Sequence, residues 1–205
     1  MFTDAEAKTR LRALLRERSV FHGDFLLASG ARSSYYLDCR LTTLDAEGAW
    51  LVGQVMRALI RQEAERQHLA IDSIGGLTLG ADPIALAVGM YSFFVHDAPC
   101  LRTFVVRKAA KDHGQAKLIE GNFRRGDRVA VVEDVITRGD STLSAIHAVQ
   151  REGGQVAFVA VLVDRQQGGR ERIQELGHRV VPVFQRDDLL HPTAEPPSPA
   201  GAGRT

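Results

Sequence analysis

Short apolar runs alternate with amphipathic helical patterns along most of this 205-residue chain. The runs are rich in valine, and several are nearly continuous, which is typical of strands that are buried on both faces of a parallel sheet. This alternation predicts an α/β fold, an open parallel sheet flanked by helices. The predicted strands are Ile71–Gly75, Leu101–Val106, Val129–Val132, Val156–Val163 and Val180–Phe184.

Local end signals place the helices around these strands. Thr3-x-x-Glu6 is a capping box that opens a first helix carrying an apolar side. Asp82 and the following Pro83 provide an N-cap and a first-turn proline for a later helix. The remaining helices are predicted over Asp45–Arg61, with Trp50 on its apolar face, from Ser141 to a stop at Gly153–Gly154, and from Arg170 to Leu176.

Two segments depart from this alternation. Residues 20–40 are irregular and contain the pair Tyr35–Tyr36, which predicts a small, strand-rich N-terminal hood over the sheet. Residues 191–205 are rich in Pro, Gly, Ala and Ser, cannot form a core, and are expected to be a disordered tail. We therefore predict a single domain over residues 1–190.

Composition limits the classes of function. The chain is 44% hydrophobic and 25% charged with a net charge of only +1, which disfavours nucleic acid or an anionic membrane as a partner. Cys39 and Cys100 form no CxxC motif, so neither a disulfide scaffold nor a zinc site is expected. No apolar run approaches the roughly 20 residues that cross a bilayer. These features predict a cytoplasmic protein.

The segment VAVVEDVITRGDSTLSAI has the most informative pattern. A strand ends in Glu133–Asp134, a turn follows, and a helix then begins. Ligands of open parallel sheets bind at the carboxyl ends of strands, where two carboxylates can accept hydrogen bonds from sugar hydroxyls. The helix N-terminus, the Thr137 and Ser141 hydroxyls and the adaptable Gly139 suit a phosphate. A ribose carrying a 5'-phosphate would satisfy both halves.

Taken alone, the acidic pair also fits a ligand-free surface turn. The complete pattern of strand, acidic pair, TxGxS turn and helix is more specific, and the rival motifs GxxxxGK[ST] and GxGxxG are both absent. The segment resembles the phosphoribosyl pyrophosphate (PRPP) signature of type I phosphoribosyltransferases, which include purine, uracil and orotate enzymes and some regulators. The resemblance implies the type I phosphoribosyltransferase fold, with PRPP contacts from Glu133, Asp134, Val135, Ile136, Thr137, Arg138, Gly139, Asp140 and Ser141.

The segment VRKAAKDHGQAKLIEGN concentrates positive charge. Between Arg107 and Arg128 there are seven Lys or Arg and three Asp or Glu residues, a net charge of +4 in a chain whose total is +1. A cationic loop that closes over a pyrophosphate leaving group would stabilise its developing charge and exclude water. Charge alone also fits a solvated surface or, less well without interleaved aromatic residues, a nucleic-acid patch.

The residue order in this segment, RKxxKDHG, resembles the catalytic loop of orotate phosphoribosyltransferases. Lys111 would then be the main catalytic cation, acting with His113 and with Asp134 of the acidic pair. In that family the loop reaches into the neighbouring subunit's site, which implies a homodimer in which loop 107–121 completes the partner's site. The residues implied to contact pyrophosphate are Arg107, Lys108, Lys111 and His113.

Two further segments resemble the parts of that family that select the base. FLLASGARSSYYLD (Phe25–Asp38) contains two tyrosines on whose flat rings a pyrimidine would lie, unless they only pack the hood. In VLVDRQQGG, Arg165 would hydrogen-bond the base, or would form only a local ion pair with Asp164. The residues implied for orotate binding are Thr137, Arg165, Tyr35, Tyr36, Ser29 and Gly30.

The segment GGLTLGADPIALA (Gly75–Ala87) resembles the family's pyrophosphate loop, with a departure. Some members have a lysine where this chain has Leu79, and another lysine before Ser-Gly where this chain has Ala28. The departure does not affect the implied activity, but it puts in doubt any mechanism that needs a lysine at either position.

These resemblances cover about residues 2–188 and imply the reaction of PRPP with orotate to give orotidine 5'-phosphate and pyrophosphate in UMP synthesis. Positioning and charge stabilisation would provide catalysis, without a protein nucleophile. Mg²⁺ is the implied cofactor, held mainly by substrate oxygens, with no direct protein ligand and with Asp134 nearby. Two alternatives remain: a phosphoribosyltransferase for another base, and a regulator that senses PRPP.

Overall fold

The computed structural model describes residues 2–26, 30, 32–108 and 118–191. From β3 onward, helices alternate with strands except where β4, β5 and β6 follow one another. In chain order the elements are α1 (Asp4–Arg18), β1 (Val20–Leu26), β2 (Arg32–Leu37), α2 (Arg40–Thr43), α3 (Ala46–Arg66), β3 (Ser73–Leu77), α4 (Ala81–Phe94), β4 (Arg102–Val106), β5 (Ile119–Gly121), β6 (Arg128–Ile136), α5 (Asp140–Arg151), β7 (Gln155–Asp164), α6 (Gly169–Glu175), β8 (Val180–Gln185) and α7 (Arg186–Leu190).

Six strands form one sheet in the order β5-β4-β3-β6-β7-β8. All five predicted strands are present and pair in parallel, which confirms the α/β fold class. The sixth strand, β5, was not predicted and pairs antiparallel with β4 at one edge of the sheet. The three residues of β5 are too few to show an alternating pattern, so the sequence did not reveal this strand.

The sheet separates two hydrophobic layers. Successive side chains of a strand point to opposite faces, so Val131 of β6 packs in one layer while Val132 packs in the other. In β7, Val161 and Leu162 divide in the same way. Helices α1, α3 and α4 cover one face, and α5 and α6 cover the other. Burial on both faces explains why these strands are nearly continuous apolar runs.

Helix α4 begins earlier than predicted. Its N-cap is Gly80 rather than Asp82, whose carboxylate lies in the first turn and accepts a hydrogen bond from the Thr78 hydroxyl at 2.6 Å. An acidic side chain is favourable at either position because both face the positive end of the helix dipole. The predicted capping box at Thr3 is confirmed, and Asp45, the predicted start of the next long helix, is the N-cap of α3.

Helix α3 continues to Arg66, beyond its predicted end at Arg61. Its last turn is held by the nearly buried Glu63, which accepts hydrogen bonds from Arg66 at 2.7 and 2.9 Å. Trp50, which was predicted on the apolar face of this helix, is partly exposed, with 41% of its surface accessible. Its ring packs edge-on against Tyr91 of α4, with centroids 5.2 Å apart.

Strands β1 and β2 form a separate antiparallel pair, which confirms the strand-rich hood predicted over residues 20–40. An aromatic cluster fills one side of the hood, with the Tyr36 ring 5.8 Å from Phe25 and 6.5 Å from Phe21. The short helix α2 then leads from the hood into α3.

The C-terminal end of the described chain is α7, with His191 as its C-cap. Residues 192–205, which belong to the predicted disordered tail, lie outside the described residues. Within the described ranges, no helix is both long and apolar enough to cross a bilayer.

Candidate functional site

Two acidic residues lie within β6, not after it as the sequence predicted from a strand ending at Val132. The strand runs to Ile136 because its last residues still pair in parallel with β7. On its other side, the pairing with β3 ends opposite Val131. Glu133 and Asp134 therefore lie where one flank of the strand is open, at the end of the sheet where parallel strands bind ligands.

The acidic pair faces a cleft of about 270 Å³ between the hood and the carboxyl end of the sheet. Its walls come from the segment after β2, the turn between β3 and α4, and the start of α5. The structure thus brings together several predicted site residues that are distant in sequence. Those that line the cleft are Tyr36, Lys108, Glu133, Asp134, Val135 and Ser141.

Glu133 and Asp134 are held in a poorly solvated environment. Glu133 is only 4% exposed and accepts a hydrogen bond from the Thr142 hydroxyl at 3.1 Å. Burial, followed by the nearby charge of Asp134, raises the pKa of Glu133. Burial also raises the pKa of Asp134, although the Val135 N–H donates to its Oδ1 at 2.8 Å and opposes this shift. Such a pair favours ligands that donate hydrogen bonds or carry positive charge.

The turn from β6 into α5 is suited to bind an anion. Gly139 has a φ of 83° and is the N-cap of α5, without a side-chain hydrogen bond to the first helical N–H groups. A Cβ at this position would lie 3.0 Å from Ile173 and 3.1 Å from the Gly169 carbonyl, so the turn needs glycine. The N–H groups and the dipole of α5 are favourable for a phosphate.

Helix α6 supports this turn through backbone and charged contacts. The Gly169 N–H donates to the Thr137 carbonyl at 2.9 Å. Nη1 of Arg172 donates to the Arg138 carbonyl at 3.1 Å and to the Asp140 carboxylate at 2.5 Å. This ion pair offsets the negative charge of Asp140, which lies beside the anion-binding N–H groups of the turn.

The turn between β3 and α4 packs directly on the acidic pair. A Cβ at Gly80 would lie 2.3 Å from Asp134 Oδ1, so this close approach requires glycine. The preceding Thr78–Leu79 peptide bond is cis. Leu79 is 65% exposed and lines the cleft. Leu79, which stands where some family members have a lysine, therefore places an apolar side chain at the rim of the cleft.

Arg165 is a nearly buried cation directly after β7, with 8% of its surface exposed. Its Nε and Nη2 each lie 3.4 Å from the Tyr35 hydroxyl, and its guanidinium carbon is 5.2 Å from the centre of the Tyr35 ring. Asp164, the alternative partner of Arg165, accepts from the Gln166 N–H at 2.8 Å and lies 3.9 Å from Arg170. Arg165 thus connects the sheet to the hood.

The remaining predicted residues lie at the edges of the described chain. Arg107 is 3.6 Å from Glu120, and the exposed Gly30 has a φ of 81°. Other residues that the sequence analysis singled out lie outside the described residues: Lys111, His113, Ser29 and Ala28.

Among the described cleft residues that were not predicted as site residues, two are charged. Asp38 and Arg40 follow β2 and form a bidentate pair, with Nε and Nη2 of Arg40 each 2.8 Å from a carboxylate oxygen. Both line the cleft opposite the acidic pair. An acidic and a basic residue two positions apart are common in sequences, so only the long-range approach of α2 to β6 reveals them.

The described residues contain no group of three or more His, Cys, Asp and Glu side chains that could hold a metal ion. The acidic pair nevertheless offers carboxylate oxygens, the ligand type that Mg²⁺ prefers. A magnesium ion in this cleft would therefore need further oxygen ligands from a bound substrate.

Similar proteins occur among both curated sequences and solved structures, although no protein-family model matches the chain. The orotate phosphoribosyltransferase of Mycobacterium tuberculosis is 44% identical over 182 residues, which cover 89% of this chain and 96% of the relative. That of Aquifex aeolicus is 41% identical over 186 residues, with 89% and 97% covered.

The fold comparison gives the same group of proteins. A crystal structure of the Mycobacterium tuberculosis enzyme superposes with a TM-score of 0.76 at 42% identity, covering 90% of this chain and 99% of that one. Another, in complex with 5-phospho-α-D-ribosyl 1-diphosphate (PRPP), has a TM-score of 0.69 at 37% identity, with 89% and 91% covered.

Proposed function

This chain belongs to the orotate phosphoribosyltransferase family, and we propose that the cleft between hood and sheet is its active site. The enzyme transfers the 5-phosphoribosyl group of PRPP to orotate, giving orotidine 5'-phosphate and pyrophosphate, a step of pyrimidine biosynthesis. One observation carries the proposed site. Two poorly solvated carboxylates lie at an open strand end, next to a helix N-terminus that suits a phosphate.

The proposed PRPP site uses both halves of the β6–α5 segment. The ribose hydroxyls donate to Glu133 and Asp134, whose burial makes hydrogen-bond donors favourable. The 5'-phosphate accepts hydrogen bonds from the turn over residues 137–141 and from the Thr137 and Ser141 hydroxyls. The contacts of α6 keep this turn in place before the substrate arrives.

Arg165 is the proposed recognition residue for orotate. It is nearly buried, and among the described residues its side-chain hydrogen bonds go to the neutral Tyr35 hydroxyl. A buried guanidinium without a carboxylate partner is favourable for an anionic, carbonyl-rich base. Tyr36 lines the cleft and offers a ring edge or face to the base. Backbone N–H groups near Ser29, Gly30 and Thr137 are proposed to receive the carboxylate of orotate.

In the proposed reaction, the bond from the anomeric carbon to the pyrophosphate oxygen breaks, and its electron pair leaves with pyrophosphate. The ring nitrogen of the orotate anion then forms the new bond from the opposite face. The carboxylate of Asp134 stabilises positive charge on the ribose, while Lys111 and His113 neutralise the leaving group together with Arg107 and Lys108. No protein nucleophile is needed, because orotate is already anionic.

Mg²⁺ is the proposed cofactor and is expected to enter with PRPP. It would supply positive charge to the diphosphate. The carboxylate of Asp134 is the proposed nearby protein group, while substrate oxygens supply most ligands. The proposal of Mg²⁺ is supported by the chemistry of the acidic pair, which provides oxygen ligands. These ligands are too few to hold the ion without the substrate.

A homodimer is proposed, with loop 107–121 of one subunit completing the site of the other. Helix α4 supports this proposal, because Leu86, Met90 and Phe93 follow one another at helical spacing and are 60%, 65% and 75% exposed. A face of this kind is typical of a subunit interface. A symmetric dimer would bury the same face on both subunits.

A cytoplasmic location is also proposed. Both Cys39 and Cys100 are free thiols, which fits a reducing compartment. One of the substrates, PRPP, is a phosphorylated metabolite, and such compounds are made inside cells.

The reaction is tested by following the loss of orotate absorbance when Mg²⁺ and PRPP are added to the purified protein. A panel of bases tests specificity: preference for uracil or a purine would contradict the assignment of orotate. Binding of PRPP without turnover of any base would instead indicate a sensor.

The site is tested with Asp134→Asn and a matched exposed variant, Asp187→Asn in α7. We expect Asp134→Asn to reduce turnover by roughly 10²-fold or more, since a charge beside the ribose is lost. The Asp187 variant should retain wild-type turnover. Equal activity of the two variants would remove the acidic pair from the proposed active site.

A further inference from the structure

The turn between β3 and α4 faces the cleft without a cation of its own. Leu79 is exposed there, and Gly80 lies against Asp134. Among the described residues that line the cleft, the cations are Arg40 and Lys108, which come from other segments. Arg40 also lines, together with Leu79, the apolar groove that adjoins the cleft. Arg40 is therefore a cation beside the turn that has Leu79 where some family members have a lysine.

The guanidinium of Arg40 is held in one orientation. Nε and Nη2 donate to the two carboxylate oxygens of Asp38, and the backbone N–H of Arg40 donates to the same carboxylate at 3.1 Å. The hydrogen bonds to Asp38 raise the pKa of Arg40, so the side chain stays charged. This arrangement occupies one edge of the guanidinium. Nη1 has no protein partner within the described ranges of the chain and remains free to donate.

Arg40 lies where an anionic group would enter. Arg40 and Asp134 line the same cleft, and the charge of Arg40 opposes the burial that raises the pKa of Asp134. The N-terminus of α4, a helix of 14 residues, begins at the same turn, and its N-cap Gly80 makes no side-chain cap hydrogen bond. A diphosphate between Arg40 and this helix end would meet a guanidinium fork on one side and free N–H groups on the other.

We propose that Arg40 binds the diphosphate of PRPP, and of the pyrophosphate product, in place of the lysine that is absent at Leu79. Asp38 is the positioning residue that orients the guanidinium. This proposal rests on the proposed active site. It adds Arg40, which was not among the predicted site residues, to the side chains that bind the diphosphate.

A purely structural role explains the pair less well. The Arg40 side chain is 46% exposed and its partner belongs to the same short segment, so the pair joins no distant elements. Partly exposed ion pairs of this kind contribute little to stability. A substitution of Arg40 should therefore leave the fold intact while changing diphosphate binding, which makes the two roles separable.

The test compares Arg40→Gln with Arg61→Gln, which removes an exposed arginine that pairs with Glu65 on α3. We expect Arg40→Gln to raise KM for PRPP about 10-fold or more and to weaken inhibition by pyrophosphate similarly, because one charge-assisted contact is lost. KM for orotate at saturating PRPP should stay within about twofold. Arg40→Lys, which keeps the charge without the fork, should lie between Arg40→Gln and wild type.

Binding of magnesium pyrophosphate by calorimetry gives a second readout that does not need turnover. Weaker binding by Arg40→Gln, with Arg61→Gln unchanged and melting temperatures equal, supports the proposal. Unchanged KM and unchanged pyrophosphate binding would overturn it, as would an equal rise in both substrates' KM values with a lowered melting temperature. If PRPP binding is unchanged in both Asp134→Asn and Arg40→Gln, the proposed active site itself is wrong. If PRPP binding is unchanged only in Arg40→Gln, the active site stands, but Arg40 does not bind the diphosphate.

Discussion

At the residue scale, Glu133 and Asp134 occupy a site that penalises their charge. Burial raises the pKa of both, and the charge of Asp134 raises the pKa of Glu133 further. Hydrogen bonds from Thr142 and from the Val135 N–H compensate only in part. The free protein therefore holds an electrostatic cost that a ligand with hydroxyl donors or an accompanying cation would relieve.

This electrostatic cost predicts that the effect of Glu133→Gln on the stability of the fold depends on pH. A carboxyl group whose folded pKa lies above its unfolded value binds more protons in the folded state, so its ionisation destabilises the fold as pH rises between the two values. The pKa of Glu133 rises from 4.5 to about 8. The stability of Glu133→Gln relative to wild type should therefore increase between about pH 5 and pH 8, by on the order of 1 kcal/mol or more.

Urea unfolding at several pH values measures this difference. Glu65→Gln, which removes a carboxylate 64% exposed beside Arg61, is the matched control. A stability difference for Glu133→Gln that does not vary with pH would show that the acidic pair is not penalised as described.

Tyr35 provides a second prediction at this scale. Its hydroxyl accepts from Nε and Nη2 of Arg165, and its ring lies beneath the guanidinium. Tyr35→Phe keeps the ring but removes the acceptor, so Arg165 should lose part of its fixed orientation. We expect KM for orotate to rise roughly 3- to 10-fold with KM for PRPP unchanged, as for the loss of one hydrogen bond to a charged group. Tyr36→Phe is the neighbouring control, and equal effects of the two variants would contradict this role.

Site residues differ in how far the sequence reveals them. Glu133, Asp134 and the turn over residues 137–141 are contiguous, and the chemistry of one strand end and one helix start predicts them together. The contact between Tyr35 and Arg165 joins residues 130 positions apart, and Arg40 follows an unremarkable hood strand. Such contacts depend on how the hood packs over the sheet, which no local pattern encodes.

At the scale of elements, the start of α5 combines a strained conformation with close packing. Gly139 has a φ of 83° and lies against α6, whereas Gly177, at the other end of α6, has a φ of 86° with open space around it. Gly177→Ala should cost about 1–2 kcal/mol, the penalty for an L-residue in this conformation. Gly139→Ala should cost about 1 kcal/mol more, because its Cβ also meets Ile173 and the Gly169 carbonyl.

The two glycine variants separate stability from substrate binding. Chemical unfolding measures the cost of each, and steady-state kinetics measures KM for PRPP. Only Gly139→Ala should raise KM for PRPP, since only it distorts the proposed phosphate site. A similar rise in Gly177→Ala would attribute the effect to global destabilisation.

Strands and helices could be predicted from the sequence where their burial produced a simple pattern of apolar residues. Valine-rich strands such as β7 are buried on both faces and appear as continuous apolar runs. The end of β6 was not predictable, because its acidic pair is stable within a strand only where β3 has ended. Likewise, α2 and β5 have four and three residues and are too short for a periodic signal.

At the scale of the whole molecule, the described residues do not include every group to which the proposed reaction assigns a role. The described residues include the acidic pair, the phosphate turn and Arg165, but the family resemblance assigns the main catalytic cation to Lys111, which lies outside the described residues. The apolar face of α4 provides a surface on which a second subunit can pack. A dimer with exchanged loops would join these observations.

Hybrid dimers test whether the loop acts across the interface. Lys111→Ala and Asp134→Asn should each cut turnover by roughly 10²-fold or more in a homodimer. In a hybrid of the two, an exchanged loop brings one intact Lys111 to one intact acidic pair, so about half the wild-type activity per dimer should return. If each loop serves its own subunit, both sites of the hybrid remain defective. Hybrids purified through two different affinity tags allow this measurement without a background of homodimers.

A second hybrid, Lys111→Ala with His113→Ala, controls for recovery caused by association alone. Both of its loops are defective, so neither site can regain a complete loop and turnover should stay low. Recovery in the first hybrid but not in the second therefore requires that the loop and the acidic pair of one working site come from different subunits. Low turnover in both hybrids, with the dimers intact by mass, would instead confine each loop to its own subunit and leave α4 as an interface without a catalytic role.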